Sequence, residues 1–150
     1  MILITGAAGK TGRAIIQALA KRGETVRALV HRPDQVASLK ALGVEDVLVG
    51  DALDPSVVQQ AVQDVRAIYH IAPNVSPDEV TIGRIIIAAA QSADVERFIF
   101  HSVLHPQIEA MPHHWLKMRV EELLFESGLS FTILQPTASC KIFWRIGIKS

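Results

Sequence analysis

Short apolar runs of strand length alternate along this chain with longer segments whose apolar residues recur at helical spacing. Ile2–Thr5 is the first run, and the segment Lys10–Lys21 behind it places Ile15, Ile16, Leu19 and Ala20 on one predicted helix face. Thr25–Val30 reads as a second strand. Pro33 sits where a first helical turn tolerates it, and Val36, Leu39 and Leu42 mark an inner face behind it. Asp46–Val49 is a third strand; Asp54-Pro55 opens a helix whose Val57, Val58, Ala61 and Val62 point inward. The remaining pairs are a strand over Arg66–Ala72 with a helix over Asp78–Ala93, and a strand over Glu96–Ser102 with a helix over Pro112–Ser127. A last strand covers Phe131–Gln135. This rhythm requires parallel strands joined by right-handed crossovers. Runs such as "AIYHIA" and "RFIF" are apolar at consecutive positions, as in a sheet covered on both faces. The expected architecture is a doubly wound α/β Rossmann fold, a parallel sheet of about six strands in the order 3-2-1-4-5-6.

At 150 residues the chain has the size of one domain with a real core. Its formal net charge is zero, so no long-range field favours nucleic acid or an anionic membrane surface. Cys140 is the single cysteine, which excludes an internal disulfide and suits a reducing compartment. The apolar start stops at Gly6, too short for a signal or spanning segment, and no other stretch reaches about 18 apolar residues. A cytoplasmic location is the expectation.

The stretch "ITGAAGKTGRA" places glycines at 6, 9 and 12, where the first strand gives way to the first helix. Gly6 allows a sharp turn off the strand, Gly9 removes a side chain where backbone must approach a pyrophosphate, and Gly12 lets helix press on sheet. The first amides of that helix have no intrahelical partner, so an anion completes them and meets the positive end of the dipole. Gly6, Ala8, Gly9, Lys10, Thr11 and Gly12 are therefore the candidate phosphate loop. The position within a βαβ unit makes the motif specific for a dinucleotide. The second strand ends "ALVHRP", with His31 and Arg32 where an NAD-selective carboxylate would stand. An arginine there accepts a 2′-phosphate, so NADP(H) is the expected cofactor and NAD the less favoured one. The alternative role for Arg32 is to cap the following loop.

With "ILITGAAGKTGRAIIQAL", "VRALVHRP", "VLVGDALDP", "ERFIFHSVLHPQ" and "KMRVEELLFESGLSFTILQPTA", the chain resembles the NmrA-like family of atypical short-chain dehydrogenases/reductases over about residues 1–138. The resemblance implies that Asp51 and Ala52 lie along the adenine. It also implies that Ile71, Ala72 and Pro73 line the cofactor, and that Ser102 and Lys117 approach the nicotinamide ribose. Members include NADPH-dependent reductases, quinone reductases among them, and redox sensors that bind NADP(H) without obvious turnover.

Typical short-chain dehydrogenases pair a tyrosine acid with a lysine four residues later. Here "HHWLK" puts His113 at the tyrosine's place before Lys117, on the same helical face. Imidazole exchanges protons near neutral pH, but an adjacent ammonium favours its neutral form and weakens it as a donor. Ser102, at the end of the fifth strand, is a candidate to orient a carbonyl; the alternative is an ordinary loop serine. His101, His105 and Glu109 form a weak metal-ligand pattern, and no metal is expected. Trp115 reads as a packing residue.

After "QPTA" the family pattern continues with a segment like Leu-Gln-Asn, whereas this chain reads "SCKIFWRIGIKS". Ser139 to Gly147 can be encoded as AGC TGC AAA ATA TTT TGG CGG ATT GGN, and dropping two bases gives Leu-Gln-Asn-Ile-Leu-Ala-Asp-Trp. The expectation is a Rossmann domain over residues 1–138 and a frameshifted tail over 139–150, with the substrate-binding part of the longer relatives missing. The function class is NADPH-dependent reduction of a small carbonyl or quinone. The alternatives are a non-catalytic NADP(H) sensor acting on a regulatory protein partner, and an inactive fragment. An exposed sheet edge would favour a homodimer. Sequencing the gene downstream should reveal a family-like frame in the shifted phase; bases that encode nothing family-like would refute the frameshift.

Overall fold

A computed structural model describes residues 1–73 and 75–137; the expectation for the tail lies outside them. Six strands form one parallel sheet: β1 (Ile2–Ile4), β2 (Val26–Val30), β3 (Asp46–Val49), β4 (Ala67–His70), β5 (Arg97–His101) and β6 (Phe131–Leu134). Their order is β3-β2-β1-β4-β5-β6, the arrangement expected from the sequence. Ile2 stands between Val26 and Ala67 across the two neighbouring strands, which centres β1 and buries all three of its residues.

Alternation along the strands sends side chains into two cores. On one face Ile2, Ile4, Ala28 and Val30 meet Ile16 of α1 (Lys10–Ala20) and Leu39 of α2 (Val36–Lys40). On the other, Leu3, Leu29, Ile68, Phe98 and Phe100 pack under α3 (Pro55–Ala61), α4 (Glu79–Ser92) and α5 (Pro112–Glu126). Helices on both faces are what the continuous apolar strands require. Local chemistry sets the ends: Asp54 caps α3 by accepting from the Ser56 amide at 2.8 Å, with Pro55 behind it at the first helical position.

The departures from the expected boundaries have identifiable causes. The fourth strand ends at His70 rather than Ala72 because the Thr5 hydroxyl takes over the next ladder position. It accepts from the Ile71 amide at 3.0 Å and donates to the Ile71 carbonyl at 3.2 Å. The second helix begins as a 3-10 turn over Pro33–Gln35, where the proline removes an amide. Ala20, expected on the inner face of α1, is exposed; it ends the helix, with its carbonyl capped by the Gly23 amide at 3.0 Å. Val57 is half-buried against Gly50, where an added Cβ would sit 2.5 Å from its Cγ1.

α4 and α5 touch at Gly83. A Cβ there would lie 2.9 and 3.0 Å from the two methyl groups of the fully buried Val120. Gly83→Val should therefore cost about 1–3 kcal/mol by overpacking. Ala88→Val, on the exposed side of the same helix, should stay within about 0.7 kcal/mol. Urea midpoints at unchanged m-value check both.

Candidate functional site

The carboxyl ends of the strands open into a cleft of about 760 Å³ that the glycine loop borders along its length. Gly6 has φ +61°, and a Cβ on it would stand 2.8 Å from the Ile71 carbonyl oxygen. At Gly12 a Cβ would fall 2.5 Å from the Gly6 oxygen and 2.7 Å from Ala7 Cα, so the helix start lies directly on the loop. Gly9 is exposed, its amide bonded to the Gly6 carbonyl at 3.1 Å. The first helical bond of α1 runs from the Arg13 amide to the Gly9 carbonyl at 3.0 Å, so the amides of Lys10, Thr11 and Gly12 precede the ladder. No side chain caps this terminus and its first turn holds no acidic residue. Arg13 braces the loop from outside, donating to the Ala8 carbonyl at 3.1 Å and to Ser38 at 2.6 Å.

The far end of the cleft carries its titratable groups. Lys117 of α5 reaches the cleft wall and donates to Glu79 of α4 at 2.7 Å, with side-chain exposures of 16% and 1%. Burial pushes the Glu79 carboxyl above the usual carboxylate range, and the Lys117 ammonium opposes the shift. Lys117 Nζ also lies 5.6 Å from the Phe100 ring centroid. His70 is fully buried; its Nδ1 shares a 2.8 Å hydrogen bond with Thr5 Oγ1 and its ring stacks on Phe100. Burial, then the Lys117 charge, pushes His70 down to about 3, so the ring is neutral. Its Nε2 is the one buried side-chain polar atom without a partner among the described residues. His101, also on the wall, bonds to the Tyr69 hydroxyl through Nδ1 at 3.0 Å.

A family model described as the NmrA-like family matches residues 1–146. This chain belongs to the NmrA-like family. It is 32% identical over 142 residues to the photosystem II assembly factor Ycf39 of Cyanophora paradoxa, covering 89% of this chain and 44% of that protein. It is 31% identical over 167 residues to sterol demethylase protein B of Methylococcus capsulatus, covering 91% and 50%. The crystal structure of an NADPH-dependent quinone oxidoreductase of Escherichia coli, complexed with NADPH, superimposes with a TM-score of 0.87 at 26% identity. That match covers 97% of this chain and 52% of the other. The NmrA-like chain thus spans about half the length of the relatives it matches.

Of the residues singled out in the sequence, the loop Gly6–Gly12, His31, Asp51, Ala52, Ile71, Ala72, Pro73 and Lys117 wall the cleft together. Three others stand apart from the wall. Arg32 is exposed, its guanidinium 3.4 Å from Asp34 and its amide donating to Gln35 Oε1 at 3.3 Å. Ser102 is buried and donates its hydroxyl to Glu121, a buried carboxylate that also accepts from Gln135 at 3.0 and 3.1 Å. His113 packs edge-on against His114, with centroids 4.4 Å apart. Burial, followed by the charges of His114 and Lys117, lowers its pKa.

Sequence reasoning missed Glu79, Glu121, His70 and Tyr69. The signal was present: Glu79 precedes Ile82 and Ile86 at spacings of three and seven, on the stripe that faces the core. Glu121 follows Lys117 by four and precedes Leu124 by three, on the inner stripe of α5. A charged residue on such a stripe announces a buried polar pair.

Lys117→Met should destabilise the protein by about 3–5 kcal/mol at neutral pH, because it leaves Glu79 buried without its cation. With the cation gone, the folded-state pKa of Glu79 rises further above its ordinary 4.5, and the folded protein holds that proton more tightly than the unfolded chain. The deficit relative to the parent is therefore smallest below the parent's folded-state value, itself raised, and grows as pH climbs from there toward the variant's higher one. Adding Glu79→Gln should recover most of the loss at neutral pH, as read by denaturant melts at several pH values.

Proposed function

We propose that the cleft holds a nicotinamide dinucleotide, NADP(H) in preference to NAD(H), and that the chain carries the cofactor-binding half of a reductase acting on a quinone or small carbonyl. The observation that carries this reading is the bare helix start of α1 above a loop whose Gly6 and Gly12 leave no space for a side chain and whose Gly9 is exposed between them. A diphosphate supplies the acceptors that the Lys10, Thr11 and Gly12 amides lack, and Gly9 lets it approach the backbone. The cleft volume falls in the range of about 300–1,000 Å³ typical of small-molecule sites. In this reading Asp51 and Ala52 flank the adenine, while His31, with Arg32 swung in from the rim, meets the 2′-phosphate. Ile71, Ala72 and Pro73 carry the chain past the diphosphate, and Lys117 donates to the nicotinamide ribose. The bound dinucleotide supplies a hydride; the residues bind, orient and exclude water. The Escherichia coli relative, named for NADPH dependence and complexed with NADPH, supports the cofactor.

Two observations favour a second reading, a dinucleotide sensor that acts on a protein partner: no tyrosine stands four residues before Lys117, and Glu121 engages the Ser102 hydroxyl. Solvent location and self-association stay with the expectations stated from sequence, a cytoplasmic protein with an exposed sheet edge. Fluorescence titration should show NADPH binding more tightly than NADH. Arg32→Ala should weaken NADPH about tenfold, or about 1.4 kcal/mol, and leave NADH within about twofold. Folded protein that binds neither dinucleotide would overturn the proposal.

A further inference from the structure

We propose that His101, backed by Tyr69, is the proton donor of this cleft, in the role that typical short-chain dehydrogenases give to a tyrosine four residues before the lysine, where this chain has His113. The inference rests on the reductase reading of the cleft. The sheet register brings the two side chains together: Tyr69 pairs with Ile99 across the parallel β4–β5 ladder, and His101 lies two residues on, on the same face. Their 3.0 Å bond joins the phenol oxygen to Nδ1, and His101 walls the cleft while its Nε2 has no partner among the described residues.

The protonation states follow from the surroundings. Burial pushes the Tyr69 hydroxyl up, so it stays protonated, and burial followed by the Lys117 charge lowers His101, so the imidazole is neutral. A protonated phenol donates to the Nδ1 lone pair, which places the imidazole hydrogen on Nε2. Of the other charged or titratable groups here, Lys117 of α5 is paired with Glu79 of α4, His70 of β4 is an uncharged ring, and Asp78 at the start of α4 is an exposed acid on the cleft wall. Lys117 therefore has a partner for its proton, and His113 lies off the wall.

An acceptor oxygen that gains an electron pair, as the acceptor carbon takes hydride from the reduced dinucleotide, removes the proton from His101 Nε2. Nδ1 in turn takes the Tyr69 proton; after the product leaves, solvent reprotonates Nε2 and the phenolate recovers its proton from Nδ1. One solvent proton and one hydride enter the acceptor, and the dinucleotide leaves oxidised. A hydroquinone titrates near the ordinary tyrosine value of about 10, and burial holds Tyr69 above it, so the relay runs somewhat uphill for a quinone and downhill for an alkoxide.

The test begins on the protein alone. Two-bond ¹H–¹⁵N spectra should show His101 as the neutral Nε2–H tautomer at neutral pH, and Tyr69→Phe should release that bias. With NADPH and menadione, His101→Gln should lower kcat about 100-fold and Tyr69→Phe about tenfold, with the NADPH Kd changed less than about twofold. An Nδ1–H tautomer in the parent protein would overturn the proposal. So would variants that bind NADPH and keep the parent kcat, or a parent that binds NADPH without turnover; the last leaves the dinucleotide reading standing. Failure to bind NADPH at all overturns that reading and the donor role together, while the tautomer still reports on the dyad.

Discussion

The contact on which the site depends is between two pieces of backbone. The start of α1 lies so close to the Gly6–Ala7 loop that position 12 has no space for a single methyl group. Position 6 is closed in the same way by the Ile71 carbonyl. These two approaches fix where the helix begins relative to β1 and β4, and hence where its unpaired amides point. Everything polar in the cleft is arranged around that fixed point, from Asp51 on one side to Lys117 on the other. Because the constraint is steric, it is insensitive to salt and pH, unlike the ion pair at the far end.

That ion pair has a different character. Glu79 and Lys117 are held in the interior, where removing one partner is far more damaging than removing both. Its charge also reaches its neighbours: burial, and after it the same ammonium, holds His70 and His101 below their ordinary values. The cleft end is therefore a site of neutral imidazoles beside a compensated cation, which suits hydrogen bonding to a neutral acceptor better than binding a second anion.

Most of the framework was legible in the sequence because parallel strands buried on both faces leave continuous apolar runs, and the helices between them leave periodic ones. "AIYHIA" and "RFIF" located β4 and β5, and the glycine spacing located the loop. The cleft wall was partly legible too: the glycine loop follows the end of β1, and the family resemblance pointed to Asp51, Ile71 and Lys117, which line the same cleft. What escaped was the destination of individual polar groups. Ser102 stands at the expected strand end, yet its hydroxyl turns to Glu121, a carboxylate nineteen residues on in another element. Helical spacing put His113 on the face of Lys117, but the lysine chose Glu79, which no local pattern connects to it. Such pairings depend on which helices lie side by side, and only the assembled sheet decides that.

The strand order also carries a consequence for how the chain comes into being. β1 is made first and ends in the middle of the sheet, yet its second neighbour, β4, begins at residue 67. Until that stretch leaves the ribosome, the central strand keeps one open side, and the second face offers α3 only the side chains of β1 and β2, such as Leu3 and Leu29. Closing it requires a long loop before any contact rewards the lost entropy, which places this topology among slower folders. The growing chain is thus most vulnerable to wrong pairing during synthesis of its first half, a span in which a chaperone that shields strand edges would matter most.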